Sequence, residues 1–167
     1  MKAIPHQHSF RFHNLGIGDI QLGKKPEQIP GMLPFPSYTG KNNFLVYPDA
    51  AHYHAFNGIA RGTIEKDDPG IDLQHLFTGI NDNGFINRIF LYPQEANEQL
   101  AWRLSQLYGE PFIGKGQSGV QNTWITESET EVTLFSPSDH KTVNTVISFR
   151  FFYDFPALKE YIIEGRT

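Results

Sequence analysis

The sequence contains no cysteine. That absence removes disulfides, thiolate zinc sites, iron–sulfur clusters and thiol nucleophiles in one step. No apolar run approaches the roughly 18 residues that a membrane-spanning helix needs. Met1 to His6 holds no apolar stretch of the kind a secretory leader carries. The expected location is therefore the cytoplasm, or the periplasm if a leader has been removed. Basic residues are outnumbered: 14 Lys and Arg against 18 Asp and Glu leave a net charge of −4. Such a chain has no general attraction for nucleic acid or anionic lipid. Tandem repeats and low-complexity tracts are missing too. Aromatic rings, by contrast, are plentiful, with 14 Phe, 7 Tyr and 2 Trp among 167 residues. Disordered chains are poor in rings, so the expectation is one soluble domain over 1–167 with a real core.

The N-terminal part, 1–50, is irregular in pattern. Prolines at 5, 26, 30, 34, 36 and 48 and glycines at 16, 18, 23, 31 and 40 forbid a long helix there. His8 to His13 alternates, which predicts a strand with Phe10 and Phe12 facing inward. Phe44 to Tyr47 reads as a short buried strand, and Gly58 to Glu65 as another. Leu73 to Ile80 and Phe85 to Tyr92 flank Asn81-Asp82-Asn83-Gly84, the signature of a β-hairpin. Pro93 suits the first turn of a helix. Ala96, Leu100, Leu104, Leu107 and Tyr108 recur at helical spacing, so a helix is expected over about 93–108, stopped by Gly109 and Pro111. Val120 to Thr126, Glu131 to Ser136 and Thr142 to Tyr153 predict a three-stranded meander. Asp154 then caps a short closing helix to about Glu164. The expected class is α+β: an antiparallel twisted sheet of about six to eight strands carrying one main helix and a C-terminal helix.

Two glycine motifs suggest phosphate chemistry and fail on context. Gly109 to Lys115 matches GxxxxGK, but position 116 is Gly where a magnesium-binding Ser or Thr belongs. The loop also follows a helix instead of preceding one. Gly114 to Gly119 matches GxGxxG, again without the strand-then-helix setting that a dinucleotide requires. The plainer reading is a loop over 112–119 that exposes Lys115. Ser118 is no nucleophile elbow, because position 120 is Val.

Histidine offers the one metal-like pattern. His52 and His54 are two apart, so on a strand they share a face, and Asp49 or His13 would add a third ligand for zinc or another divalent metal. His6 and His8 repeat the spacing near the terminus, where fraying is common. Glu127, Glu129 and Glu131 also recur by two around a predicted hairpin turn. They read either as a solvated tip that discourages edge pairing or as an acidic ridge for a basic partner. Trp102 sits between Leu100 and Leu104. It serves either sheet packing or, if partly exposed, as an interface anchor.

These residues form no coherent catalytic set. The leading expectation is a non-enzymatic protein-binding module with a surface of Glu127, Glu129, Glu131, Trp102 and Lys115, free of any cofactor. A small, mildly acidic α+β chain poor in catalytic motifs shares its general cast with bacterial immunity proteins, so a basic toxin is the expected partner. That comparison is one of overall character and assigns no residue. The alternative is a small metal-dependent hydrolase or ligand-binding enzyme using His52, His54 and Asp49. A third expectation is an aromatic-lined ligand pocket between the helix and the sheet.

Overall fold

A computed structural model of the chain describes residues 7–34, 53–65, 69–94, 99–139 and 145–151. Strands β1 (Gln7–His13), β2 (Gly16–Ile17), β3 (Ile20–Gln21) and β4 (Met32–Pro34) come first, with a 3-10 turn at Pro26–Gln28. Strands β5 (Tyr53–Phe56), β6 (Ile59–Thr63), β7 (Ile71–Ile80) and β8 (Ile86–Pro93) follow. Helix α1 (Leu100–Tyr108) leads into β9 (Phe112–Gly116), β10 (Gly119–Ile125), β11 (Thr130–Pro137) and β12 (Val146–Phe151). All twelve strands join one sheet, in the order β3-β2-β1-β6-β7-β8-β12-β11-β10-β9. Strand β5 pairs with the second half of β7, and β4 pairs with β5.

The long hairpin is where the alternation and the turn residues place it. Asn81 Oδ1 accepts hydrogen bonds from the backbone N–H of Asn83 and of Phe85, at 3.0 Å each. Gly84 takes a φ of 84°, which an L side chain resists. The meander strands β10, β11 and β12 also match their periodicity. On β1, Phe12 is buried and Phe10 packs half-buried at the core edge.

The core face is built by strict alternation. Leu76, Ile89, Leu91, Ile147, Phe149, Val132, Leu134 and Trp124 point to one side of the sheet, all 2% exposed or less. The sheet curls around them. Phe12 of β1 stacks on Phe149 of β12 with ring centroids 6.3 Å apart. The end of β1 then reaches the start of β11, where the Thr130 hydroxyl donates to the Asn14 carbonyl at 2.6 Å. Ile17, Ile20, Leu22 and Ile29, from the segment after β1, fill the core from above. Leu100 and Leu104 of α1 close it near Trp124. A smaller cluster of Ala55, Phe77 and Tyr92 lies on the other face of the sheet, with Phe90 and Val146 against it.

This architecture overturns the α+β expectation. The described chain is mostly β, with a twelve-stranded mixed sheet and one helix of nine residues among the described residues. Strands β1 and β6 pair in parallel, from Gln7↔Ile59 to Arg11↔Thr63. Such a pairing joins segments some fifty residues apart, which local alternation does not register. Pro93 is the final residue of β8 and starts no helix. It stands at the strand end opposite Leu73, where the ladder tolerates a missing N–H. The 112–119 segment is a hairpin of β9 and β10 and not a loop. The expected strand at 44–47 and the closing helix to Glu164 lie outside the described residues.

The closure depends on Tyr108. Its hydroxyl donates to the His13 carbonyl at 2.7 Å, and its ring packs on Trp124 and Phe149. Burial pushes the phenol well above the ordinary tyrosine range, so it stays a donor. Tyr108→Phe keeps the ring and removes this bond, while the carbonyl keeps its pairing with Gly16 in the β1–β2 ladder. We expect a loss of about 1–2 kcal/mol in urea unfolding. An unchanged midpoint would show that this contact does not close the sheet.

Candidate functional site

Helix α1 is amphipathic, and Trp102 lies on its outer side. Two residues from Leu104 is about 200° around the helix, opposite the buried stripe. Trp102 is accordingly 65% exposed, whereas Leu104 is fully buried. Sheet packing falls instead to Trp124, whose Nε1–H donates to the Gly109 carbonyl at 2.8 Å. That bond anchors the helix end, where Gly109 adopts a φ of 90° and turns the chain into β9. Phe112 and Ile113 then emerge 69% and 60% exposed. Chain geometry limits the Trp102 to Phe112 Cα separation to about 23 Å. By the register Phe112, opposite Thr123, lies on the sheet face away from Trp124 and α1, and Ile113 lies on the helix side.

Every residue of β9 is exposed. Among the described residues β9 pairs with β10 on one side and with no strand on the other. Beside it lies an open groove of about 470 Å³, lined by Phe112, Gly114, Lys115, Gln121, Thr123 and Phe135 among others. Lys115 is the one charged residue in that lining. The turn from Gly116 to Gly119 leads into a strand and not a helix, so no helix N-terminus is available for phosphate. The helix–sheet interface, the expected aromatic pocket, is filled by Leu100, Leu104, Trp124 and Phe149.

The three glutamates part company. Glu127 and Glu129 are exposed on the β10–β11 turn, near the end of the hairpin where Phe112 pairs with Thr123. Glu131 is only 5% exposed. Its Oε1 accepts from Arg150 Nη2 at 2.8 Å and from the Thr133 hydroxyl at 3.2 Å. Spacing by two breaks down because the turn interrupts the extended chain and Glu129 takes a φ of 58°. Glu131→Gln should cost about 1–2 kcal/mol, since it weakens a charge-assisted bond and leaves Arg150 less well matched. Glu127→Gln and Glu129→Gln should stay within about 0.5 kcal/mol of the parent. Equal costs in thermal unfolding would contradict this division.

The histidines are equally divided. His13 is used by its own turn: Leu15 N–H donates to Nδ1 at 3.1 Å, and Nε2 meets the Gly18 carbonyl at 2.9 Å. It therefore supplies no ligand to a metal. His54 stands opposite Thr78 on β5 and β7, on the core face. Both His54 Nδ1 and Thr78 Oγ1 are buried without a hydrogen-bond partner among the described residues. Asp49 and His52 lie outside the described residues, as do His6 and His140. No group of three or more metal-ligating side chains occurs among the described residues.

Burial holds His54 below its ordinary 6.5, with Glu27 partly opposing, and burial does the same to His75. Both rings therefore take up a proton less readily in the fold than in the unfolded chain, whose ordinary value is 6.5. The unfolded state then binds more protons, so stability falls as pH drops below that value. The midpoint of urea unfolding should decrease between about pH 7.5 and 5.5, and His54→Asn with His75→Gln should flatten the decline. An identical slope in that double variant would show that these rings do not set it.

Comparison of the chain with family models, with curated proteins and with solved structures gives no match.

Proposed function

We propose that the chain is a non-enzymatic binding protein that engages another protein through the outer side of α1, the β9 edge and the turn carrying Glu127 and Glu129. The observation that carries this reading is the exposure of Trp102, Phe112 and Ile113 on adjoining segments. Large apolar side chains in water are costly, and aromatic anchors ringed by polar residues are where binding energy concentrates. The net charge of −4 and the exposed glutamates favour a basic partner, and an inhibitor of a basic toxin is one form such a protein takes. Lys115 sits toward the opposite end of the β9–β10 hairpin from Phe112, so the surface is polar along its length. A partner of matching polarity would dock in one orientation.

The test is capture from lysate of the source organism with tagged protein as bait, followed by mass spectrometry. We expect one dominant, stoichiometric protein. Trp102→Ala and Phe112→Ser should each weaken its binding by about tenfold or more, the scale of an aromatic anchor. Glu127→Lys with Glu129→Lys should slow association without unfolding the chain. Capture undiminished by all of these changes would overturn the reading.

A second reading rests on His54. An imidazole held below its ordinary pKa, with a buried Nδ1 that has no partner among the described residues and lies opposite Thr78, suits a divalent metal or a small polar ligand. Asp49 and His52 would be the further ligands. Elemental analysis of protein purified without a histidine tag should then find metal in the parent and none in His52→Ala/His54→Ala. Metal-free, fully folded parent protein would remove this reading.

A further inference from the structure

Glycine in the middle of a strand is a loss to the fold. It forfeits cross-strand packing and raises the entropy of the unfolded chain. Most glycines here have a local reason. Gly119 has a φ of 153°, and a Cβ there would collide with the backbone of Ser136 and Pro137. A Cβ on Gly31 would come within 2.9 Å of the Phe56 ring, and one on Gly58 would do the same. Gly114 and Gly116 of β9 have no such reason. Neither has a positive φ. Among the described residues, a Cβ on Gly116 meets nothing within 4 Å, and one on Gly114 meets only the Gln121 carbonyl oxygen at 4.0 Å. The room they leave belongs to the groove between Phe112 and Phe135. A strand glycine that the fold does not require marks a close approach by something outside it.

The direction of approach follows from the pleat. All five residues of β9 border the groove, but Phe112, Gly114 and Gly116 lie on the sheet face of Phe135, and Ile113 and Lys115 on the opposite face. Among the described residues the outer edge of β9 carries no strand. Lys115 is exposed and makes no ion pair among the described residues, although the chain as a whole is acidic. We infer that β9 is a docking edge for an extended segment of a partner protein, which adds a strand beside it, lays aromatic side chains over Gly114 and Gly116, and sets a carboxylate against Lys115. This rests on the protein-binding reading and names its mode and chemistry. Main-chain pairing supplies affinity in such complexes, and alternate side-chain slots supply specificity. On an antiparallel strand the residues opposite Gly114 and Gly116 flank the one opposite Lys115. The recognised pattern is therefore aromatic–acidic–aromatic. A second copy of β9 fits less well. Pairing about Gly114 would set Phe112 against Gly116, but it would leave Gly114 against Gly114 and put Ile113 opposite Lys115, where a carboxylate belongs.

The experiment pans the folded, full-length protein against a displayed library of random short linear peptides. The expected outcome is enrichment of peptides with the aromatic–acidic–aromatic alternation. The enriched peptide should bind Gly114→Val and Gly116→Val at least about tenfold more weakly, while both variants melt at the same or a higher temperature because valine suits an extended strand. Lys115→Glu should redirect the selection from acidic to basic residues. The inference is overturned by an absence of enrichment, by enriched peptides without the alternation, or by binding that the valine variants leave intact. A dimer in sedimentation that Gly114→Val dissolves would also overturn it, assigning the edge to a second copy. If no peptide is enriched but lysate capture still depends on Trp102, strand addition fails and the binding reading stands. If that dependence is lost as well, both fail.

Discussion

The sheet has to curl far enough for the end of β1 to meet the start of β11, and the rest of the molecule follows from that contact. Without it the core face would be one side of an open ribbon. With it, Phe12 comes to lie on Phe149, and the segment after β1 folds over the hydrophobic side of β8. Two side-chain bonds secure the seam, from Tyr108 to the His13 carbonyl and from Thr130 to the Asn14 carbonyl. Each bonds a backbone acceptor where β1 ends: His13 is its last ladder residue and Asn14 lies just beyond it. The helix is part of the same device, since Tyr108 is its last residue.

Closure at β11 leaves two strands over. Strand β10 is covered by α1 through Trp124, but β9 lies one strand further out and is exposed along its whole length. The candidate binding surface is thus a consequence of topology: the sheet is longer than its closure. Natural edges are commonly guarded by charge and proline. Here Pro111 precedes the strand and Lys115 sits on it, which limits indiscriminate pairing and leaves room for a selective one. The ion pair of buried Glu131 with the partly exposed Arg150 joins β11 to β12 and serves the sheet itself.

Much of this was legible in the residues. Alternation found β1, β7, β8 and the meander, and the Asn83-Gly84 pair located the hairpin turn. Other features were hidden for physical reasons. Strands of two residues, such as β2 and β3, are too short to show a period. The parallel pairing of β1 with β6 is a long-range choice. Pro93 looked like a helix start because a strand end tolerates the same missing N–H. Gly114 and Gly116 resembled a loop, although Phe112 to Gly116 does alternate and glycines there mark a strand with one bare face. The glutamate spacing misled because it ran across a turn, after which Glu131 lies in the β11 ladder, covered by Arg150 on the face away from the core. Trp102, read as sheet packing or as an interface anchor, stands about 200° from Leu104 on the helix and does not pack on the sheet; the interface role is a proposal.

The most direct test of the account is hydrogen exchange, read by mass spectrometry, on the protein alone and in the complex captured from lysate. Protein binding through the overhanging edge predicts new protection of the amides over 110–117, with a smaller change over 126–129. Protection confined to 53–56 and 76–79, around His54 and Thr78, with 110–117 unchanged, would contradict it.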